Sequence, residues 1–196
     1  MLNELYVSLA TIVDQTKINL PILGIIVAIP WVVFLISIAT GRRLLYLGII
    51  PRRLYGIPGI LFSPLLHADF NHLFFNSIPL VVLSNFLLIH GLPYFIHITL
   101  IITLISGFLI WCFAKPGLHI GASALITGYW SLLVCDIYRQ GTLTAIILGL
   151  ISLYYFAGIF LGVFPGRKGV SWEGHLFGLL AGLTVSYLGI FYAYSS

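Results

Sequence analysis

Long apolar segments joined by short connections dominate this chain of 196 residues. The first segment, residues 18–40, reads INLPILGIIVAIPWVVFLISIAT and contains no Asp, Glu, Lys or Arg. A membrane-spanning helix needs about 20 mainly apolar residues, so this segment is long enough to cross a bilayer. It is also too long for the apolar part of a signal peptide, which has about 7–15 residues, and we expect a retained anchor.

Six such segments can be marked along the chain, at residues 18–40, 72–90, 93–113, 121–138, 142–164 and 173–193. Because hydrocarbon offers no hydrogen-bond partner to a backbone, we expect all six to be helices. The sequence therefore predicts an all-α, polytopic membrane protein whose domain covers residues 18–196 with six transmembrane helices. Residues 1–17 are mixed in composition, which favours a separate N-terminal segment at the membrane interface.

Composition supports this class and excludes others. The chain is 60% hydrophobic and 7% charged, whereas soluble domains carry about 25% charged residues. No basic cluster with interleaved aromatics is present, so nucleic acid is not an expected partner. The two cysteines, Cys112 and Cys135, lie in apolar segments without a Cys or His at metal-ligand spacing, so no metal or cofactor is expected.

The connection between the first two segments is long and unusual. It reads GRRLLYLGIIPRRLYGIPGILFSPLLHADFN over residues 41–71, with four arginines among many apolar residues. It is too apolar for a solvated loop and too interrupted by Gly and Pro for a span. We expect a structured loop that packs at the membrane surface.

Polar residues within the segments are the candidates for function, because a polar group in hydrocarbon is costly. His72 and Asn76 stand at the start of the second segment, four residues apart and hence on one helix face. Ser123 stands at the start of the fourth segment and His175 at the start of the sixth. Since consecutive spans alternate in direction, these four residues are predicted at one depth near one membrane face.

Small residues lie around Ser123 and after His175 at a spacing that lets transmembrane backbones approach closely. The stripe after His175 comprises Gly178, Gly182 and Ser186, and the stripe beside Ser123 comprises Gly121, Ala124, Gly128 and Ser131. If the stripes face each other, Ser123 and His175 meet as a nucleophile and a base. Taken singly, a membrane serine usually bonds its own backbone, and such stripes are common in packing without chemistry.

Three motifs resemble those of the rhomboid intramembrane serine proteases. HADFNHLFFN, at residues 67–76, is similar to the family's His-x4-His-x3-Asn motif. GASA, at residues 121–124, is similar to Gly-x-Ser-Gly, and WEGHLFGLLAG, at residues 172–182, contains His-x2-Gly-x3-Gly. The resemblance covers residues 18–193 and implies a six-helix rhomboid-like bundle.

The resemblance also implies roles. Ser123 would be the nucleophile and His175 the general base of a dyad without a third carboxylate, the acid nearest in sequence being Glu173. His72 and Asn76, together with the Ser123 backbone N–H, would hold the oxyanion. His67, Gly121, Ala124, Gly178 and Gly182 would be structural residues near the site. His119 has no motif role.

The sequence departs from the family pattern at three places. Ala124 replaces the last glycine of Gly-x-Ser-Gly, and its methyl group could alter the helix spacing. Thr127 stands where the family usually has Tyr or Phe against the histidine, so Trp130 or Trp172 are candidates to orient the imidazole. The first loop has Tyr55-Gly56 near the place of a Trp-Arg pair.

The placement of the Lys and Arg residues and the family resemblance predict opposite orientations of the chain in the membrane. Of nine Lys and Arg residues, Lys17 and Arg139 lie on the side opposite the predicted site. The other seven lie on the side of the site, at Arg42, Arg43, Arg52, Arg53, Lys115, Arg167 and Lys168. The positive-inside rule alone would put the site in the cytoplasm. The resemblance implies a site that faces outward, which is the arrangement we expect.

The sequence thus predicts a serine endopeptidase that cleaves transmembrane segments of other proteins, in the bilayer of a bacterial inner membrane. A non-catalytic rhomboid-like protein that binds membrane helices is the alternative, motivated by Ala124 and Thr127. A small transporter or channel is less favoured, because the polar groups are predicted to cluster at one end.

Overall fold

A computed structural model describes residues 2–164 and 171–189 of the chain, and within these residues the regular structure is helical. The described residues form eight α-helices in chain order: α1 Leu2–Ala39, α2 Gly59–Phe62, α3 Phe70–Leu88, α4 Leu92–Phe113, α5 Ser123–Arg139, α6 Leu143–Phe156, α7 Gly158–Leu161 and α8 Trp172–Leu188. The all-α prediction agrees with this architecture.

Within the described residues, three helices are long and apolar enough to cross a membrane, so the chain is an integral membrane protein. They are α1, α3 and α4, of 38, 19 and 22 residues. The prediction of six membrane spans is not confirmed by the length and composition of the described helices, which identify three. Helices α5 and α8 have 17 residues each, and the fifth predicted segment is divided between α6 and the short α7. The end of the sixth predicted segment, residues 190–193, lies outside the described residues.

Helix α1 differs from its prediction at its start. Residues 2–17 continue into the first apolar segment as one helix, without a break between them. The physical reason lies in the sequence LNELYVSLATIVDQTKINL, which has no Gly or Pro before Pro21 to end a helix. An interfacial position of residues 1–17 stays a prediction.

The connection between α1 and α3 is structured, as its composition predicts. It contains α2 and three 3₁₀ turns, at Arg43–Leu47, Leu54–Gly56 and Ser63–Leu65. Ile49 and Leu66 are buried within it. Ile49 also exchanges two backbone hydrogen bonds with His119, at 3.0 and 2.9 Å. The loop therefore fastens the segment that precedes α5.

Helices α5 and α8 form the centre of the bundle. A β-carbon built on Gly178 would collide with the Ala124 carbonyl group, and one on Gly182 would collide with the Gly128 carbonyl. The hydroxyl of Ser131 also donates to the Leu179 carbonyl, at 3.1 Å. The two stripes of small residues lie against each other, so the backbones of α5 and α8 are in direct contact.

Buried polar groups also occur at the end of the bundle opposite Ser123. Asn85, near the end of α3, accepts from Asn19 and donates to Thr16, at 3.3 and 2.7 Å. Asp136, near the end of α5, accepts from Ser186 at 3.3 Å. The expectation that polar groups cluster at one end was therefore wrong. Side-chain pairing between helices satisfies these groups, which short sequence windows do not reveal.

Candidate active site

Ser123 is the first residue of α5 and is half-buried. The preceding Ala122 provides no side-chain cap, so the first N–H groups of the helix point outward without an intrahelical partner. The loop before them is held by a bond from the Gly121 N–H to the Ser63 carbonyl, at 2.9 Å. Ser123 therefore lies at a helix N-terminus, where the helix dipole favours negative charge.

His72 and Asn76 of α3 reach the same loop. A β-carbon built on Gly121 would lie 2.5 Å from His72 Nε2 and 3.5 Å from Asn76 Nδ2. Gly121 also has φ +109°, a conformation that other residues rarely adopt. Glycine is required here on both counts, and its absent side chain lets the two polar groups approach the backbone next to Ser123.

The amide of Asn76 has an unusual environment. Its Nδ2 atom is buried and has no hydrogen-bond partner in the part of the chain that the structure describes. A buried donor without a partner is costly, and native proteins seldom keep one without a reason. This N–H₂ group lies beside the Ser123 loop, where it could donate to an oxygen atom of a bound molecule.

The start of α3 is fixed by two residues around His72. Asp69 caps the helix, its carboxylate accepting from the His72 backbone N–H at 2.9 Å. The ring of His67 lies edge-on to that of His72, with centroids 5.0 Å apart. The sequence analysis missed Asp69, although an Asp directly before an apolar helix is an N-cap signal.

His67 is buried in the loop before α3 and is uncharged at neutral pH. Burial, together with the adjacent His72, lowers its pKa to about 4, against opposing effects of Leu65 and Asp69. The neutral ring of His67 packs against the ring of His72 and so helps to hold His72 in place.

His175 lies in the first turn of α8. Its Nδ1 atom is 3.1 Å from the carbonyl oxygen of Ser171, and since a carbonyl only accepts, Nδ1 carries the proton. Ser171 also caps the helix, its hydroxyl accepting from the Gly174 N–H at 3.2 Å. The remaining ring nitrogen, Nε2, is then unprotonated in the neutral ring and available as a base.

Gly162, at the end of α7, lies against the imidazole of His175. A β-carbon at Gly162 would approach the ring Cδ2 and Nε2 atoms to 2.7 and 2.9 Å. The four polar residues that the sequence singled out are thus distributed around one loop and one helix end.

The described residues include no hydrogen bond between Ser123 Oγ and His175. Glu173 is buried, its Oε1 has no partner among the described residues, and none of the described bonds joins it to His175.

The two departures at Ala124 and Thr127 have clear structural positions. It is the carbonyl of Ala124 that meets α8, while its side chain packs beside a small cluster formed by Ile49, Ile110 and Ala114. Ala124 also lines the cavity next to Ser123. The expected effect of its methyl on the helix spacing or on the pocket stays a prediction. Thr127 is buried, and its hydroxyl donates to the Ser123 carbonyl at 2.7 Å.

The tryptophans proposed to orient the imidazole have other contacts. Trp130 donates to the Ser152 carbonyl at 3.0 Å, and the ring of Trp172 lies under the Lys115 ammonium, 5.7 Å from its centroid. The groups seen to hold His175 are Ser171 and Gly162. Sequence reasoning missed both, because each acts through the backbone.

A small cavity of about 20 Å³ adjoins Ser123. Its lining includes the polar side chains of Ser63, Thr103, Ser106, His119 and Ser171. The rest of the lining is largely apolar and includes Ile49, Ile60 and Leu125. A cavity of this volume has room for a single water molecule, which the polar members of the lining would bind.

Several of the cationic residues on this side have partners within the protein. Arg42 donates to the Ala68 carbonyl. Arg52 donates to the carbonyl groups of Cys112 and Ala114, at 3.1 and 2.8 Å. Arg167 and Lys168 lie outside the described residues. The first-loop arginines therefore serve in part as structural donors.

The fold and the site define a polytopic helical membrane protein, with a serine at one helix N-terminus and polar side chains of two neighbouring helices around it. The chain belongs to the rhomboid family, because residues 53–191 match the model of the Rhomboid domain.

Similar proteins occur in mycobacteria. Uncharacterized proteins of Mycobacterium bovis and Mycobacterium tuberculosis are 41% identical over 173 residues, covering 83% of this chain and 71% of theirs. An uncharacterized protein of Mycobacterium leprae is 40% identical over 141 residues, covering 66% of this chain and 55% of its own. These names assign no activity.

Proposed function

We propose that this protein is an intramembrane serine endopeptidase that cleaves transmembrane segments of other membrane proteins. The observation that carries the proposal is the unpartnered, buried amide donor of Asn76 beside Gly121, two residues before Ser123. Family membership supports it, since rhomboid proteins are typically proteases of this kind. Ser123 and His175 form the proposed dyad, and no cofactor takes part.

The proposed reaction begins at Ser123. Its Oγ forms a bond to the scissile carbonyl carbon while its proton passes to His175 Nε2. The oxyanion accepts hydrogen bonds from His72, from Asn76 and from the Ser123 backbone N–H, where the helix dipole adds to the stabilisation. The proton on His175 then leaves with the departing amine.

Hydrolysis of the acyl-enzyme needs water inside the bilayer. The cavity beside Ser123, whose lining includes several polar residues, has the volume to hold one molecule. His175 removes a proton from this water as its oxygen bonds to the acyl carbon, and Ser123 leaves with that proton. The described residues show no hydrogen bond between Ser123 and His175, and the scheme requires this bond to form when substrate binds, as catalytic hydrogen bonds often do.

The proposed substrates are helices that unwind readily. A carbonyl within a helix is already hydrogen-bonded, so cleavage requires local unwinding. Gly, Pro or polar residues near the membrane boundary of a substrate therefore favour cleavage.

The proposed topology has six transmembrane helices in residues 18–196, in a bacterial inner membrane, with the site facing outward. Engagement of Arg42 and Arg52 by backbone carbonyls supports this orientation, because such residues are part of a packed loop rather than of an ordinary tether. Residues 1–17 form the proposed N-terminal segment.

One observation favours the alternative, a non-catalytic rhomboid-like protein that binds membrane helices. Thr127 uses its hydroxyl on the Ser123 carbonyl and brings no aromatic ring toward His175. In that case replacement of Ser123 by Ala would leave helix binding unchanged.

Labelling with a fluorophosphonate compound separates the two functions. We expect detergent-purified wild type to label, and Ser123→Ala and His175→Ala to remain unlabelled, because only an activated serine attacks the phosphorus atom. If folded wild type does not label although the compound is able to enter the site, the protease proposal fails and the binding function is favoured.

A further inference from the structure

His119 occupies a well-defined position between the first loop, α5 and α8. Its backbone is held on both sides by Ile49, through bonds of 3.0 and 2.9 Å. Its ring reaches in two directions, with Nδ1 3.0 Å from Ser171 Oγ and Nε2 3.0 Å from the Lys115 carbonyl oxygen. The side chain thus joins the loop that carries Ser123 to the first turn of α8.

The hydrogen bonds of this group define its protonation pattern. A carbonyl oxygen only accepts, so Nε2 of His119 carries a proton and donates to Lys115. In the neutral ring Nδ1 then accepts from the hydroxyl of Ser171. The same hydroxyl oxygen accepts from the Gly174 N–H at 3.2 Å. The Ser171 hydroxyl therefore donates its proton to His119 and accepts from Gly174.

Both ring nitrogens of His119 are engaged, which decides between two roles. His119 lines the cavity next to Ser123 and could be mistaken for a base. With Nε2 donating to Lys115 and Nδ1 bonded to Ser171, no ring nitrogen is left to accept the Ser123 proton. His119 is therefore suited to hold other groups in place rather than to react.

Ser171, which is bonded to His119, in turn holds His175. Its carbonyl oxygen accepts from His175 Nδ1 at 3.1 Å, which leaves Nε2 as the basic nitrogen. Its hydroxyl caps the same helix turn. Any movement of Ser171 would therefore shift the imidazole and release its tautomer.

We propose that His119 is a positioning residue, which through Ser171 holds the first turn of α8 and fixes the place and tautomer of His175 relative to Ser123. This inference rests on the proposed protease function. It assigns to His119 and Ser171 the orienting task that the family gives to an aromatic residue at the position of Thr127. The Lys115 ammonium lies over the Trp172 ring, which is a second contact between the segment before Ser123 and the first turn of α8.

The test measures the kinetics of fluorophosphonate labelling for wild type, His119→Ala, Ser171→Ala and the double variant. His119→Ala should lower the maximal inactivation rate constant by about 10–10²-fold with little change in the fluorophosphonate concentration at half-saturation, since misplacing a reacting group affects the chemical step. Ser171→Thr retains the hydroxyl and should restore most of the rate lost in Ser171→Ala. The double variant should be no slower than Ser171→Ala, because both single changes break one bond.

Two controls keep the outcomes distinct. His97→Ala replaces a histidine of α4 that contacts Pro93 within its own helix, and it should label as wild type does. Thermal unfolding of each variant reports its folded fraction, and the rate constants of the variants are compared for folded protein only. A purely structural role of His119 would lower the unfolding midpoint while leaving the rate constant of folded protein unchanged, and that result would overturn the proposal.

A second readout does not depend on activity. The ring ¹⁵N resonances of His175 should report a proton on Nδ1 in wild type and a mixture of tautomers in His119→Ala. An unchanged pure tautomer in His119→Ala would also count against the proposal. Wild type that fails to label would overturn the protease function itself, and the positioning role of His119 would then be decided by the tautomer of His175.

Discussion

Gly178 of α8 lies directly on the carbonyl group of Ala124, one residue after Ser123. His175 is three residues before Gly178 on the same helix. This backbone contact therefore sets how closely the helix that carries the histidine approaches the helix that begins with the serine, and it depends on the absence of a side chain at residue 178.

Gly178→Ala should destabilise the protein and abolish labelling. The new methyl would meet backbone atoms of Ala124, which cannot move aside as a flexible side chain would. We expect a lower midpoint of thermal unfolding in detergent micelles. Gly24→Ala is the matched control, since nothing lies within 4 Å of its added β-carbon. Equal midpoints for the two variants would show that α5 and α8 are not in close contact.

Ala124→Gly should be a mild change, although it restores the family's glycine. The methyl of Ala124 packs beside Ile49, Ile110 and Ala114. Its removal, together with the helix penalty of glycine, should lower the free energy of unfolding by about 0.5–1 kcal/mol. Denaturant titration measures this change. A gain in stability would mean that the methyl is a strain on the α5–α8 contact.

Gly162→Ala should impair the chemistry more than the fold. The backbone at Gly162 has φ −68° and ψ −14°, which alanine adopts readily. Its methyl would however press on the ring of His175, 2.7 Å from Cδ2. We expect labelling to slow by about 10-fold or more, as for other small displacements of reacting groups. Gly158→Ala in the same short helix has open space around its added carbon and should label normally.

Asn76→Ala should slow cleavage of a transmembrane substrate without unfolding the protein. The loss of one oxyanion donor typically costs about 10²–10³ in rate. Stability should hold, because the Nδ2 atom that is removed has no partner among the described residues.

Asn85→Ala is the comparison on the same helix. Asn85 bonds to Asn19 and Thr16 at the far end of the bundle. Its removal should therefore lower the free energy of unfolding and leave the cleavage rate of the folded protein unchanged. Cleavage by Asn76→Ala at the wild-type rate would remove Asn76 from the oxyanion assignment.

Stability should fall in mild acid because of His67. An unfolded histidine has a pKa of about 6.5, whereas His67 in the folded protein has a pKa of about 4 because it is buried. Between these values the unfolded state binds a proton that the folded state does not. The free energy of unfolding therefore decreases as pH falls from about 6.5 to about 4, and it is independent of this group above that range.

His67→Gln removes the titrating ring and should flatten part of this dependence. Five other histidines remain in the chain, so a residual slope should remain. Unfolding midpoints near pH 7 and near pH 5 provide the comparison. An identical pH dependence in wild type and His67→Gln would show that His67 is protonated or accessible in the folded state.

Much of the helical arrangement follows from hydropathy. Segments 72–90 and 93–113 correspond closely to α3 and α4, because long uncharged runs have few alternatives in a bilayer. The small-residue spacing also indicates which faces of α5 and α8 meet. The division of the fifth segment after Phe156 was not predicted, although it precedes Gly158, a weak helix former.

The site was only partly accessible from the sequence. His72, Asn76, Ser123 and His175 stood out because polar groups are rare in apolar segments. Gly162 and Ser171 did not, since their effect on His175 arises from a short distance and a backbone carbonyl. The bond from His119 to Ser171 joins residues 52 positions apart, and such pairings are decided by tertiary packing.

Helix α1 is longer than the membrane is thick. Its 38 residues extend about 57 Å at the usual rise per residue. The hydrocarbon core measures about 30 Å. Even at a tilt of about 40°, at the upper end of what is usual, the helix would exceed the hydrocarbon by roughly 14 Å, measured along the membrane normal. Helix α1 is thus a membrane anchor that also extends beyond the hydrocarbon, and a label at its protruding end would report from the headgroup layer or from water.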